Sequence, residues 1–181
     1  MQHHFMRGTT PFLIRTLLPE DAQNLGIFFD ELDEATRHRF GPHPLNRDFA
    51  IELCSRTLDT AFRFIIHDKQ ADKIAGYMIL EKNVPDYELD RYKNNGVFIP
   101  QNECMAFAPC MHPTYQNGGI AGTSMPFVLD FVRSQGIHYL ILLGGTQDTN
   151  VVAQKFYQKF GFIKYGGYQT EVFNHDMMLS L

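Results

Sequence analysis

Between an apolar, β-rich run and an amphipathic segment the chain reads Met111-His-Pro-Thr-Tyr-Gln116-Asn-Gly-Gly-Ile-Ala121-Gly122. Adjacent glycines where a helix opens let the backbone approach a ligand closely and leave N–H groups facing outward. Those donors, with the positive end of the helix dipole, suit a phosphate or pyrophosphate. A tight β–α turn that needs glycine only for steric reasons fits the same letters. Other known loops are excluded. There is no G-x-x-x-x-G-K-[ST], and Gly118-Gly119 does not give G-x-G-x-x-G. Gly122-Thr-Ser124-Met-Pro126 lacks the second glycine of a nucleophile elbow.

Cys104, Cys110 and His112 fall on one face of the preceding run at even spacing, which invites a zinc reading. Three ligands along one extended strand spread over too much length for a tetrahedral site, so no metal is expected. Cys110 as an acyl nucleophile weighs less than Cys110 as a small buried hydrophobe. The three cysteines, Cys54, Cys104 and Cys110, have no disulfide-framework spacing, and a reducing cytoplasm is the simplest home.

The bulk numbers bound the answer further. A chain of 181 residues fits one domain, and 44% hydrophobic with 13% aromatic residues can fill a sizeable core. The net charge of −4 argues against a nucleic-acid or anionic-membrane partner, either of which needs a basic field. The apolar runs 125–132 and 139–143 fall well short of the ~20 residues that span a bilayer. The start, MQHHFMRGTT, lacks the apolar core of a signal peptide.

The elements that must position the glycine loop follow from periodicity. Residues 12–16 read as a strand, and Leu18-Pro19-Glu20-Asp21 as the start of a helix running to about 32. The segment 36–44, with two prolines and a glycine, reads as a loop, and 46–58 as a helix with Phe49, Leu53 and Leu58 near helical spacing. Strands at 61–67 and 74–82 form a hairpin. An insertion at about 83–102 is long for a structureless loop and suits a helical turn near 87–93. A strand at 103–112, a helix at 119–135, a buried strand at 139–143, a helix at 150–160 and strands at 162–170 and 172–181 complete the chain. That order implies an α/β or α+β sandwich around one sheet, with a single domain over 1–181 and a core of about 12–181. The 103–143 unit should be a right-handed crossover between parallel strands.

Two blocks in this order resemble the GNAT superfamily, the general-control-related N-acetyltransferases. Gln116-Asn-Gly-Gly119-Ile-Ala121 matches the family's [Q/R]-x-x-G-x-[G/A] loop, after a strand ending in Met111-His-Pro113. Asn150…Ala153…Phe156-Tyr157-x-Lys159-Phe-Gly161-Phe162 is similar to its N-x-x-A-x-x-x-Y-x-x-x-G-F pattern. The resemblance spans roughly 12–181. It implies a GNAT-like fold: a mixed, largely antiparallel sheet of about six or seven strands with a splayed parallel pair, flanked by about four helices. It also implies acetyl-CoA, or another acyl-CoA, as co-substrate. The pyrophosphate would meet the backbone of Gln116, Asn117, Gly118, Gly119, Ile120, Ala121 and Gly122, and the Met111 main chain would meet the pantetheine or acyl carbonyl. Asn150, Ala153 and Phe156 would flank the cofactor. Pro126 departs from the pattern and should remove a helical bond to the Gly122 carbonyl.

The activity so implied is that of a GNAT-type N-acetyltransferase, moving the acyl group directly to an amine of a small molecule or peptide. Tyr157 resembles the family's thiolate-facing tyrosine, a phenol with a pKa near ~10 that donates a proton at neutral pH. The base is less legible, since Met105 and Phe107 hold the mid-strand positions where some members carry Glu or His. Glu103 shares their face but lies ~26 Å from Met111 along an extended strand; Glu81 is the other candidate. For the acceptor the family uses its first two helices and their connection. Here that connection holds Arg37, Arg39 and His43, candidates for a carboxylate or phosphate, against the alternative of a solvated loop. The insertion is a candidate lid or a contact in a homodimer, or a plain surface excursion. A non-catalytic acyl-CoA-binding sensor is the competing reading.

Overall fold

The computed structural model describes residues 2–56 and 60–181. In chain order it has strands β1 (Gln2–Arg7) and β2 (Thr10–Thr16), helices α1 (Ala22–Asp30), α2 (Glu34–Arg39) and α3 (Arg47–Ser55), and strands β3 (Ala61–Asp68) and β4 (Lys73–Glu81). Then come α4 (Asp86–Asn94), β5 (Cys104–Met111), α5 (Ile120–Ser134), β6 (Tyr139–Leu142), β7 (Thr146–Gln147), α6 (Val151–Lys159), β8 (Ile163–Gln169) and β9 (Phe173–Ser180). The fold is mixed α/β, largely antiparallel with one parallel pair, as expected for the GNAT resemblance. Its described residues hold nine strands and six helices, more than the sequence suggested. Leu58, expected on the helix at 46–58, lies outside the described residues.

Two of the additional elements have identifiable causes. Strand β1 buries one side chain, Phe5, which stacks on Phe12 at 5.5 Å. A strand otherwise exposed carries no alternating signal. Its hairpin to β2 turns at Gly8, whose φ of +60° is the left-handed conformation that two-residue hairpin loops need. Helix α2 occupies part of the segment expected as a loop. Asp33 caps it by accepting from the Thr36 N–H at 2.7 Å, and Glu34 and the Arg37–His38–Arg39 run complement the dipole at its two ends.

Contacts group the chain into two units. The first, Met1–Ile79 with Pro109–Phe127, carries β1, β2 and β3 in antiparallel register, most of β4, and the helices α1–α3. Its core includes Ile14, Leu25, Phe28, Phe29, Phe64, Ile66 and Tyr77, all almost fully buried. Burying each such side chain stabilises by about 1.5–3 kcal/mol. The chain leaving β5 is tied to β4 here by the His112 N–H donating to the Ala75 carbonyl at 2.9 Å.

The second unit, Leu80–Ala108 with Val128–Leu181, contains the parallel pair. Cys104, Met105, Ala106 and Phe107 of β5 register with Tyr139, Leu140, Ile141 and Leu142 of β6. The ladder ends with the Leu143 N–H donating to the Phe107 carbonyl at 3.0 Å. On the other side β6 pairs antiparallel with β9, which also carries β7 and β8. The insertion is built into this unit's core. Tyr92 of α4 is fully buried among Val84, Ile99, Cys104 and Ile141, and its hydroxyl donates to the Met177 carbonyl at 2.9 Å. Arg91 bridges buried Glu88 at 2.6 Å and Asp176 at 2.9 Å, and lies 4.1 Å over the Tyr168 ring. Tyr92 therefore serves packing, while Tyr87 and Phe98 stay exposed.

Candidate functional site

The glycine loop is held from three sides within the first unit. After Met111 a 3-10 turn, Pro113–Tyr115, is capped by His112, whose Nδ1 accepts from the Thr114 N–H at 3.2 Å. That contact leaves the proton on Nε2, which donates to Glu31 at 3.2 Å. The Tyr115 hydroxyl donates to Asp68 at 2.8 Å, and burial with this carboxylate partner pushes the phenol up to about 12. Burial acts to raise the Asp68 carboxyl, but the Ala71 N–H, the Tyr115 hydroxyl and the Gln70 N–H together hold it below the usual range. Gln116 then folds back, its Nε2 donating to the Met111 carbonyl at 3.1 Å and to Thr36 Oγ1 at 3.2 Å.

What remains faces outward. Gln116, Asn117, Gly118 and Gly119 are exposed, and Asn117 and Gly119 take φ of 58° and 75°. Helix α5 begins at Ile120, and its first helical bond runs from the Thr123 N–H to the Gly119 carbonyl at 3.0 Å. The N–H groups of Ile120, Ala121 and Gly122 precede that bond and have no carbonyl one turn behind them. Arg7, from β1, completes the loop. Its Nε donates to the Gly118 carbonyl at 2.7 Å, and a Cβ placed on Gly119 would collide with its guanidinium. The loop itself has no basic residue, and Arg7 brings a side-chain cation to it. Sequence reasoning missed Arg7 because it sits on the unrecognised β1; the Arg7-Gly8 turn was the available signal.

The second motif block lies in the other unit. Asn150 caps α6, its side chain accepting from the Ala153 N–H at 3.3 Å. Ala153 and Phe156 are half-buried on that helix. Tyr157 is buried, with ring centroids of Phe156 and Phe162 at 5.3 and 5.4 Å. Glu103 is not in the strand as expected. It closes a 3-10 turn before β5 and pairs with His138 Nδ1 at 2.9 Å. Glu81 ends β4 and accepts from the Asn83 N–H at 3.3 Å.

Of the three acceptor candidates, Arg37 is fully engaged. It donates to the Leu32 carbonyl at 3.1 Å, to the Leu45 carbonyl at 2.8 Å, and to the Phe29 carbonyl, clamping the 40–45 segment onto the end of α1. Arg39 is exposed on the last turn of α2. His43 is half-buried in an aromatic box, with ring centroids of Phe49 at 4.7 Å, Phe40 at 5.1 Å, Tyr77 at 5.6 Å and Phe29 at 5.7 Å. Its Nδ1 meets the Pro44 carbonyl at 2.8 Å, so that nitrogen carries the proton and Nε2 accepts from the Tyr77 hydroxyl at 3.2 Å. Burial lowers its proton affinity, which keeps the imidazole neutral. Burial also pushes the Cys104 and Cys110 thiols up to about 12, which removes Cys110 as a ready nucleophile. Among the described residues no group of His, Cys, Asp and Glu is arranged to hold a metal ion, and no helix is long and apolar enough to cross a membrane.

Residues 27–162 match the acetyltransferase (GNAT) family. The chain belongs to that family. Among solved structures, the GNAT domain of a Streptomyces lividans protein (PAT) is similar at TM-score 0.77 with 11% identity, covering 99% of this chain and 97% of that one. Ribosomal-protein-S5-alanine acetyltransferase from Vibrio fischeri is similar at TM-score 0.76 with 14% identity, covering 100% and 96%. The yncA protein of Salmonella typhimurium, solved with its cofactor acetyl-CoA, is similar at TM-score 0.68 with 14% identity, covering 94% of each chain. Such identities speak to the fold shared with this GNAT chain. A search of curated proteins gave no match.

Proposed function

We propose that this GNAT chain, acting as a single acyl-CoA domain, transfers an acetyl or related acyl group from coenzyme A directly to an amine of a small molecule or peptide. The observation that carries this reading is the loop at the start of α5: the N–H groups of Ile120, Ala121 and Gly122 precede the first helical bond, and Arg7 donates to the Gly118 carbonyl beside them. Backbone donors at a 15-residue helix N-terminus, with a guanidinium beside them, are the chemistry that holds a pyrophosphate. Glycine at 119 fits this role, since any Cβ there would displace Arg7. In this reading the Met111 main chain meets the acyl arm, and Asn150, Ala153 and Phe156 flank the donor.

The reaction needs few groups. A neutral amine attacks the thioester carbonyl carbon, the C–N bond forms, the C–S bond breaks, and the departing thiolate takes a proton. Tyr157 is the donor of that proton, a role suited to a phenol at neutral pH. The amine loses its own proton to water or to a group on the acceptor. His43 belongs to the acceptor side, where its neutral ring and aromatic box would pack an amine's carbon chain.

A thiol-release assay over a panel of amines, run beside calorimetric titration of acetyl-CoA, tests this. Thiol release with at least one amine is expected, and Tyr157→Phe should lower kcat by about 10²–10⁴ while leaving acetyl-CoA affinity in place. Acetyl-CoA binding with no thiol release would make the chain an acyl-CoA sensor. An unchanged kcat in Tyr157→Phe would remove Tyr157 from the chemistry.

A further inference from the structure

Arg63 lies on β3 just before a run of buried residues, 64–68, on the strand face shared with Ile65 and His67. An arginine taken out of water is costly unless its donors are met. In the other half-buried arginines of the described chain they are: Arg15 pairs with Asp21, Arg91 with Glu88 and Asp176, and Arg37 with three carbonyls. Among the described residues, Arg63 Nε is the only buried side-chain nitrogen or oxygen without a hydrogen-bond partner.

Its surroundings explain what is missing. The guanidinium acts on both Tyr77 and His43. Burial raises the Tyr77 phenol and Arg63 opposes that rise, whereas burial and Arg63 both disfavour protonation of His43. Tyr77 and Phe29 are buried and form a floor, while Arg63, His43, Phe40 and Phe49 are half-buried at its rim. The guanidinium is hydrogen-bonded to Tyr77, but its Nε–H stays unmet. The cluster thus joins a cation with a spare donor to apolar rings and holds no carboxylate of its own among the described residues.

We infer that Arg63 anchors a carboxylate of the acceptor, so that the amine accepted is that of an amino acid or a peptide with a free carboxylate and not a polyamine. This rests on the acyl-CoA reading above and adds the acceptor's class to it. A guanidinium edge made of Nε–H and a neighbouring Nη–H matches a carboxylate with two parallel bonds, a match that a point charge cannot make. The rings of Phe40 and Phe49 receive the apolar part of the same molecule. A polyamine would bring positive charge against Arg63 with nothing to offset it.

The test uses the full chain and a set of dipeptides with free or amidated C-termini, since the remote carboxylate changes the amine itself little. With the wild type, amidation should lower kcat/KM by about 10- to 100-fold, the effect of one charged hydrogen-bonding pair. Arg63→Gln should erase the difference between free and amidated forms, with Arg63→Lys between the two. Acetyl-CoA affinity, measured by calorimetry on each protein, should not move. Equal use of both forms by the wild type overturns the inference, and so does an equal loss on both in Arg63→Gln, the result expected if a buried water meets Nε and the residue is structural.

If no dipeptide is turned over, the N-acetylated dipeptide is titrated while the His43 ring is followed by NMR. A shift in the wild type that is absent in Arg63→Gln supports the site, and no shift in either overturns it. Failure of acetyl-CoA to bind at all would instead sink the acyl-CoA reading, which keeps the two failures apart.

Discussion

The glycine loop at 116–122 and the arginine-rich segment at 37–45 both carry polar groups toward solvent, yet they hold them differently. In the first, side chains do the anchoring: Tyr115, Gln116 and Arg7 fix the backbone, and the N–H groups ahead of the first bond of α5 have no helical acceptor. In the second, the roles are reversed. Arg37 faces inward to three carbonyls, His43 turns into a ring cluster, and the exposed cation is Arg39. A motif match reports the first kind of site well, because backbone donors at a helix start are there whatever the surroundings. It reports the second kind poorly, because tertiary contacts decide whether an arginine is free to meet a ligand. Arg63, in a strand, has the unmet donor that the arginines of the loop suggested.

Substitutions can break this contrast, and the largest effect belongs to Gly119→Ala. A left-handed φ costs an L-residue roughly 1–2 kcal/mol, and the new methyl would drive Arg7 from the loop. Acetyl-CoA binding should weaken by about 10- to 100-fold in titration, with the midpoint of thermal unfolding lowered by only a few degrees. Unchanged affinity would mean the loop is only a turn. Arg37→Ala should act the other way, lowering stability by about 1–3 kcal/mol in denaturant unfolding. A rise in acceptor KM without that loss would show Arg37 to be a ligand group after all.

Arg7→Ala is expected to be milder, about 3- to 10-fold in acetyl-CoA affinity, because an exposed guanidinium is screened by solvent and salt. Its effect should shrink when Gly119→Ala is already present, and full additivity would separate Arg7 from the loop. The smallest effect concerns pH. His43 has its proton affinity lowered from the ordinary 6.5, chiefly by burial, with Arg63 adding to it and the Pro44 carbonyl opposing. Its neutral form therefore contributes stability that is intact above about pH 6.5 and is lost as pH falls through its depressed folded value. Thermal unfolding of wild type and His43→Asn should diverge above that point and converge below it. Parallel curves would show that His43 does not titrate in the fold.

The sequence disclosed most of what the backbone does. Strands with alternating or continuous apolar character, the helix near 150–160 and the glycine loop all fall within a residue or two of their expected places. The parallel pair of β5 and β6 follows from a strand, helix and strand in that order. The failures share a cause. Strand β1 exposes nearly every side chain and depends on Phe5 packing against Phe12, a contact no local pattern shows. Helix α2 is only six residues long, and the glycine and prolines after it conceal its cap. Arg7 and Arg63 gain their meaning from neighbours far along the chain. Glu103 closes a 3-10 turn just before β5 and pairs with His138, one residue outside the strand expected at 103–112.

The grip of the 116–122 backbone on the donor is the central claim. Amide hydrogen exchange with and without acetyl-CoA measures this directly. Slowed exchange at Ile120, Ala121 and Gly122 on addition of acetyl-CoA, lost in Gly119→Ala, is the predicted result. Acetyl-CoA binding that leaves those amides exchanging as before would contradict it.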